Sequence, residues 1–230
     1  MKKIHPFLGI AIAAFSMAAC HPKDENVTRI TGVFETEAPE QVGIFVPDAD
    51  FNSSVPVKDG KFTAKIPVGK LCLSYVQAGK TVSRFISDGT SLTLTFFDKG
   101  IVSFRSNAPK VSLQVKYDAL KQGVNDLKDK YKPEIDAFDP SDPDYPSSMD
   151  KVYARYKAEY DAFNLEFLSE NRDNVIGAIA LDNLRYTRTD AEMESLIGRL
   201  DPSVQALQSV EAIKQGIRKN KDAATGRPAE

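Results

Sequence analysis

The stretch SSVPVKDGKFTAKIPVG, residues 53–69, decides the fold class. Asp59-Gly60 sits between two short runs of alternating apolar and polar residues. That dipeptide readily takes the positive backbone angles of a two-residue type I′ turn. Phe62, Ala64, Ile66 and Val68 fall two apart, on one face of the second arm. The stretch therefore predicts a β-hairpin with one buried face. Pro56 and Pro67 place their strands at a sheet edge or at a strand end, because proline has no N–H for an interior ladder.

Reading outward, the same period of two recurs on both sides. VTRITGVFE (27–35) and QVGIFVPDA (41–49) precede the turn; KLCLSYVQAG (70–79), TVSRFISDG (81–89), TSLTLTFFDKG (90–100) and IVSFRSN (101–107) follow it. Asp88-Gly89 and Lys99-Gly100 punctuate the later runs. About eight short strands at this spacing predict an antiparallel β-sandwich or small barrel over residues 27–107.

Beyond Pro109 the apolar period lengthens to that of a helix. Leu113, Tyr117, Leu120, Val124, Leu127 and Tyr131 form one stripe. A break follows at PEIDAFDPSDPDYPSS (133–148), which carries Pro133, Pro140, Pro143 and Pro146. Met149, Val152 or Tyr153, Tyr156, Tyr160, Phe163 and Phe167 then make an aromatic seam on a second helix. The two helices should pair as an antiparallel hairpin. Shorter helices are expected at about 173–184, 190–200 and 202–219. Thr189 with Glu192 makes a capping box, and Asp201 before Pro202 makes a cap with proline at the first helical position. Residues 220–230 read as a tail or linker. The fold class is thus α+β, with an all-helical segment at 108–219 after the β unit. The short loop SNAP (106–109) and the apolar stripe of the first helix predict contact between the two units.

The amino terminus has a different grammar. Lys2 and Lys3 precede an apolar run, and small residues lead up to Cys20. That run is too short and too poorly flanked to span a bilayer and reads as a secretory leader over residues 1–19. Small residues before a cysteine resemble the bacterial lipobox, which implies diacylglycerol on Cys20 and a second acylation, such as palmitate, of its new amino terminus. Several acyl chains anchor stably, at about 0.8 kcal/mol per buried methylene. Residues 20–26 form the tether. His21, rather than the aspartate of the enteric retention pattern, follows Cys20, so an outer-membrane address is expected, facing the periplasm or the cell surface. Lys23, Asp24 and Glu25 resemble the charged export signal of surface lipoproteins in some Gram-negative bacteria; a plain solvated tether is the alternative.

Removing the leader leaves about 210 residues, enough for a substantial core. Thirty basic side chains face 32 acidic ones in the whole chain, with no basic tract, so nucleic acid is not an expected partner. The only histidines are His5, in the leader, and His21, beside the anchor, so the folded part has no imidazole for a Ser/His/Asp or Cys/His nucleophile or a usual zinc site. With Cys20 acylated, Cys72 is the remaining thiol, and no CxxC pair exists. Cys72 alternates with Leu71, Leu73 and Tyr75 on an expected strand. It reads as a small buried hydrophobe, with a reactive thiol beside Lys70 as the lesser alternative. Asp139, Asp142, Asp144 and Asp150 cluster in the inter-helix break. Prolines interrupt them and the calcium-loop glycine is missing, so they read as a solvated acidic loop rather than a metal site. Tyr153, Tyr156, Tyr160, Phe163 and Phe167 read as core packing rather than a ligand groove. No catalytic residue, metal site or cofactor is assigned.

ITGVF (30–34), VPVKDGKFTAKIP (55–67), RFISDGTSLTLTF (84–96) and FRSNAPKVSLQVKYDAL (104–120) follow one another in an order with a precedent. They resemble the N-terminal domain of unknown function of lipid-anchored TlpA-like and AhpC/TSA-like thiol-disulfide oxidoreductases. The matching positions are Gly32, Asp59-Gly60-Lys61-Phe62 and Asp88-Gly89. EFLSENRDNVIGAIALDNL (166–184) is similar to the helical stretch before that family's redox domain, and ATGRPAE (224–230) to the opening of its thioredoxin fold, with Glu230 where proline is usual. In the family the chemistry belongs to a CxxC in a further domain of about a hundred residues. No residue of this sequence matches it. The resemblance implies a non-catalytic, lipid-anchored envelope module that positions or recruits a partner, such as a thioredoxin-like protein. The alternatives are the front fragment of an oxidoreductase and a surface-exposed ligand-binding lipoprotein.

Overall fold

The computed structural model describes residues 27–67, 72–100 and 102–225. The leader, Cys20, Lys23, Asp24, Glu25, Val68 and Lys70 lie outside the described residues. Eight strands come first: β1 (Val27–Phe34), β2 (Gln41–Val46), β3 (Phe51–Pro56), β4 (Lys61–Pro67), β5 (Cys72–Ala78), β6 (Thr81–Ser87), β7 (Leu92–Phe96) and β8 (Val102–Ser106). Six helices follow: α1 (Leu113–Asp136), α2 (Tyr145–Glu170), α3 (Val175–Leu184), α4 (Asp190–Ile197), α5 (Pro202–Gln205) and α6 (Gln208–Thr225). The architecture is the expected α+β one.

The strands form two four-stranded sheets, ordered β4-β1-β7-β8 and β3-β2-β5-β6. Inward residues alternate along each strand, as in Val42, Ile44 and Val46 of β2 and Leu92, Leu94 and Phe96 of β7. Together with Ile30, Phe62, Ile66, Val76 and Phe85 they make one core between the sheets. The chain passes from sheet to sheet between β1 and β2, β3 and β4, β4 and β5, and β6 and β7. That path leaves β1 and β7 parallel, Ile30 opposite Leu92 through Phe34 opposite Phe96. The other strand pairs are antiparallel.

The turn that decided the fold class forms, but its arms part. Lys58 and Lys61 exchange both backbone hydrogen bonds at 2.9 Å, and Asp59 (φ 51°) and Gly60 (φ 69°) take the left-handed angles. Beyond that pair the arms do not form the expected hairpin: β3 pairs with β2 and β4 with β1. The next hydrogen-bonded pair would set Pro56 against Thr63, and proline has no N–H to give. The turn therefore ties the edges of two sheets together. Pro56 and Pro67 each close an edge strand, as expected.

On the opposite side the edges are β6 and β8, and α1 lies against both. The N–H of Ile86 donates to Gln114 Oε1 at 2.7 Å, so a helix side chain satisfies an edge strand's backbone. Asp88 does the reverse. Its Oδ2 accepts from the N–H of Leu113 at 2.5 Å and the hydroxyl of Ser112 at 2.9 Å, at the start of α1. Its Oδ1 accepts from the Thr90 N–H and hydroxyl. A second β-unit aspartate, Asp48, accepts from the N–H of Gln208 at 3.0 Å, at the start of α6. The expected contact between the units is thus made at two helix N-termini, where backbone donors and the helix dipole favour a carboxylate.

α1 and α2 form the expected antiparallel hairpin, with Arg155 against Glu134 and Lys130 against Glu159 across it. Two boundaries differ from expectation. α1 runs through Pro133 to Asp136, and α2 opens at Tyr145 with Pro146 in its first turn, where proline's missing N–H costs nothing. α6 continues to Thr225, so residues 220–225, expected as a tail, are helical; the long expected helix from Pro202 instead breaks after Gln205. The capping box at Thr189 and Glu192 is present. α3 is buried nearly all round, at Val175, Ile176, Gly177, Ala178, Ala180, Leu181 and Leu184, and the other helices wrap it.

Candidate functional site

A cleft opens where the β unit meets the helices. In β6 the odd-even alternation fails at its end: Phe85, Ile86 and Ser87 are all buried. Phe85 faces the sandwich core, whereas Ile86, on the outer face, joins the helical core with its cross-strand partner Leu73 packed beside it. Two residues earlier on that outer face stands Arg84, which is exposed. On α1, Tyr117, Leu120 and Val124 form the apolar stripe, with Lys121 and Asn125 one residue further round. α3 contributes Ile179 and Asn183, one turn apart. These residues line a cavity of about 300 Å³.

The groups around it are unevenly satisfied. The Lys121 ammonium lies 4.9 Å from the ring centre of Tyr117 and 5.8 Å from that of Phe104, and 3.3 Å from Asp118 Oδ1. Arg84 has no ion pair among the described residues. Burial pushes the Tyr117 phenol above its ordinary value, and the charge of Arg84 pulls partly the other way. Asn183 donates from its amide to Asn164 Oδ1 at 2.8 Å and accepts at its backbone oxygen from the Tyr160 hydroxyl at 3.2 Å. The cleft is thus an apolar floor rimmed by two cations, amides and a phenol. An apolar floor with a few convergent polar groups is the usual make-up of small-molecule clefts.

The aromatic seam of α2 is half-buried packing, with Tyr153 left exposed. Tyr131, Tyr156 and Tyr160 follow one another with ring centres 5.7 Å apart at each step, and Phe163 lies over Gly123 of α1. The deepest positions on α2 include two polar residues that periodicity did not pick out, Asp161 and Asn164. Asp161 accepts from the Thr187 hydroxyl at 2.5 Å, from Lys157 at 2.7 Å and from Arg188 at 3.2 Å. Arg188 also reaches Glu192 at 3.2 Å. The cluster ties the middle of α2 to the segment between α3 and α4. Asp161 is the buried member of the cluster and its cationic partners reach out to solvent, so the carboxylate does not sit uncompensated.

Cys72 begins β5 opposite Ser87; its side chain lies outside the described residues. In the acidic loop, Asp139 accepts from the Ser141 N–H and hydroxyl, which holds its carboxyl below the ordinary range. Asp142 likewise accepts from the Asp144 N–H. These carboxylates are turned to their own chain, and among the described residues no three His, Cys, Asp or Glu gather as metal ligands. No described helix is long and apolar enough to cross a membrane. A second cleft, of about 370 Å³, lies at one end of the sandwich beside the stacked rings of Phe34 and Phe96.

Comparison with protein families, with curated proteins and with solved structures finds no match to this chain.

Proposed function

We propose that this chain is a non-catalytic module of the bacterial outer membrane, anchored through lipid on Cys20, that positions or recruits a partner in envelope thiol-disulfide exchange. The observation that carries the reading is the apolar leader ending in small residues at Cys20, only seven residues before the fold opens at Val27. Whatever its conformation, a tether of that length spans at most about 25 Å, so the folded body stays next to the bilayer. Two contacts at helix N-termini then give that body a fixed orientation between strands and helices, which suits a positioning role. The connection with thiol chemistry comes from the resemblance at Gly32, Asp59-Gly60-Lys61-Phe62 and Asp88-Gly89.

The test is metabolic labelling with palmitate, followed by membrane fractionation, in wild type and Cys20→Ser. Label and outer-membrane recovery in the wild type, both lost in the variant, are expected. An unlabelled wild type recovered in the soluble periplasm overturns the proposal. Protease shaving of intact cells separates the two faces of the membrane, since Lys23, Asp24 and Glu25 favour the outer one.

A further inference from the structure

We propose that the cleft between β6, α1 and α3 binds a small amphipathic carboxylate, with its head between Arg84 and Lys121 and its apolar body on Val124 and Ile179. The inference goes beyond the anchoring function and does not depend on it.

Size, charge and floor each narrow the ligand. A cavity of about 300 Å³ takes a small molecule rather than a folded partner. Arg84 is exposed and lacks an ion pair among the described residues, so its planar fork of donors is free for a carboxylate. Lys121 is steered over the Tyr117 ring, which fixes its stem on one wall of the cleft. Asp118, 3.3 Å from Lys121, cancels one of the two positive charges. The remaining single charge matches a monoanion better than a phosphate dianion. The half-buried side chains of Val124 and Ile179 then decide between a bare anion and one with a hydrocarbon body. A bare anion leaves that floor wet, and a neutral hydrocarbon covers the cations without pairing them, at a desolvation cost.

Isothermal titration of the mature chain carrying Cys20→Ser, which removes the lipid from the experiment, tests this with three probes that share one tail. Octanoate carries an anionic head, octanol a neutral one and octylammonium a cationic one. The expected result is saturable binding of one octanoate per chain, with octanol and octylammonium at least about tenfold weaker. Arg84→Ala and Lys121→Ala should each weaken octanoate about tenfold and leave octanol unchanged. Both side chains are exposed, so unchanged thermal midpoints are expected to show that the variants are folded. The proposal is overturned if octanoate shows no saturable binding up to millimolar concentration, if the three heads bind alike, or if folded Arg84→Ala binds octanoate as the wild type does. None of these outcomes bears on palmitate labelling at Cys20.

Discussion

At Gly32 the space above β1 is filled by the ring of its cross-strand partner. A Cβ built there would stand 1.8 Å from Phe62 Cε1. Glycine in a strand interior sacrifices entropy and packing, and an aromatic ring laid across it recovers the packing. Gly32→Ala should therefore destabilise the fold by about 1–3 kcal/mol through overpacking, measured as a lower urea midpoint. Gly32→Ala combined with Phe62→Leu should recover part of the loss, since the leucine vacates that space. Asp59-Gly60 shows what a single residue pair discloses from sequence alone. Its chemistry specified the turn type, because only certain residues accept positive φ. It did not specify which strands the arms would join, because that depends on Pro56 and on the partners β1 and β2 present.

Helices and strands were legible where burial follows a simple period. The eight strands follow from alternation, and the stripe on α1 from apolar residues three and four apart. The ends of α1 and α6 were harder, because Pro133 is held in the last helical turn and the polar end of α6 carries no apolar rhythm to extend. The polar residues on the buried side of α2 were harder still, since Asp161 and Asn164 look like surface residues until Arg188, Thr187 and Asn183 are folded against them. Ile86 shares its face of β6 with Val82 and Arg84, and only its burial against the helices, which alternation does not foretell, separates it from the exposed Val82 and marks the cleft. The seam between α2 and α3 also carries a pH dependence. Burial first, then Tyr156, Asp161 and Asp182, push the Tyr160 phenol up from 10.0 to about 12. A phenol that holds its proton more tightly when folded contributes stability in full below 10.0 and loses it as pH rises through about 12. Denaturation midpoints should fall across that interval, and Tyr160→Phe should flatten the decline. An unchanged slope in the variant would assign the alkaline loss to other groups.

For the whole molecule, the two cores are separate clusters joined through Ile86, Gln114, Asp88 and Asp48. Small units coupled this way unfold together when the joint costs more to break than either unit gains by melting alone. A single calorimetric transition is expected for the wild type. Asp88→Ala removes acceptors from the Leu113 N–H and from Thr90, and should cost about 1–3 kcal/mol. With Gln114→Ala added, the Ile86 N–H loses its partner too, and the endotherm should separate into two. The position of β1 has a mechanical consequence. It is the first strand after the proposed anchor, yet it is an interior strand, paired with β4 along Val27–Val33 and with β7 along Ile30–Phe34. If the chain is anchored as proposed, tension on the tether would run along this strand and load both ladders in shear, so that their hydrogen bonds resist together instead of peeling one after another. A tug on such a tether would be passed into the middle of the sandwich, and the body would move with its anchor rather than unravel from it.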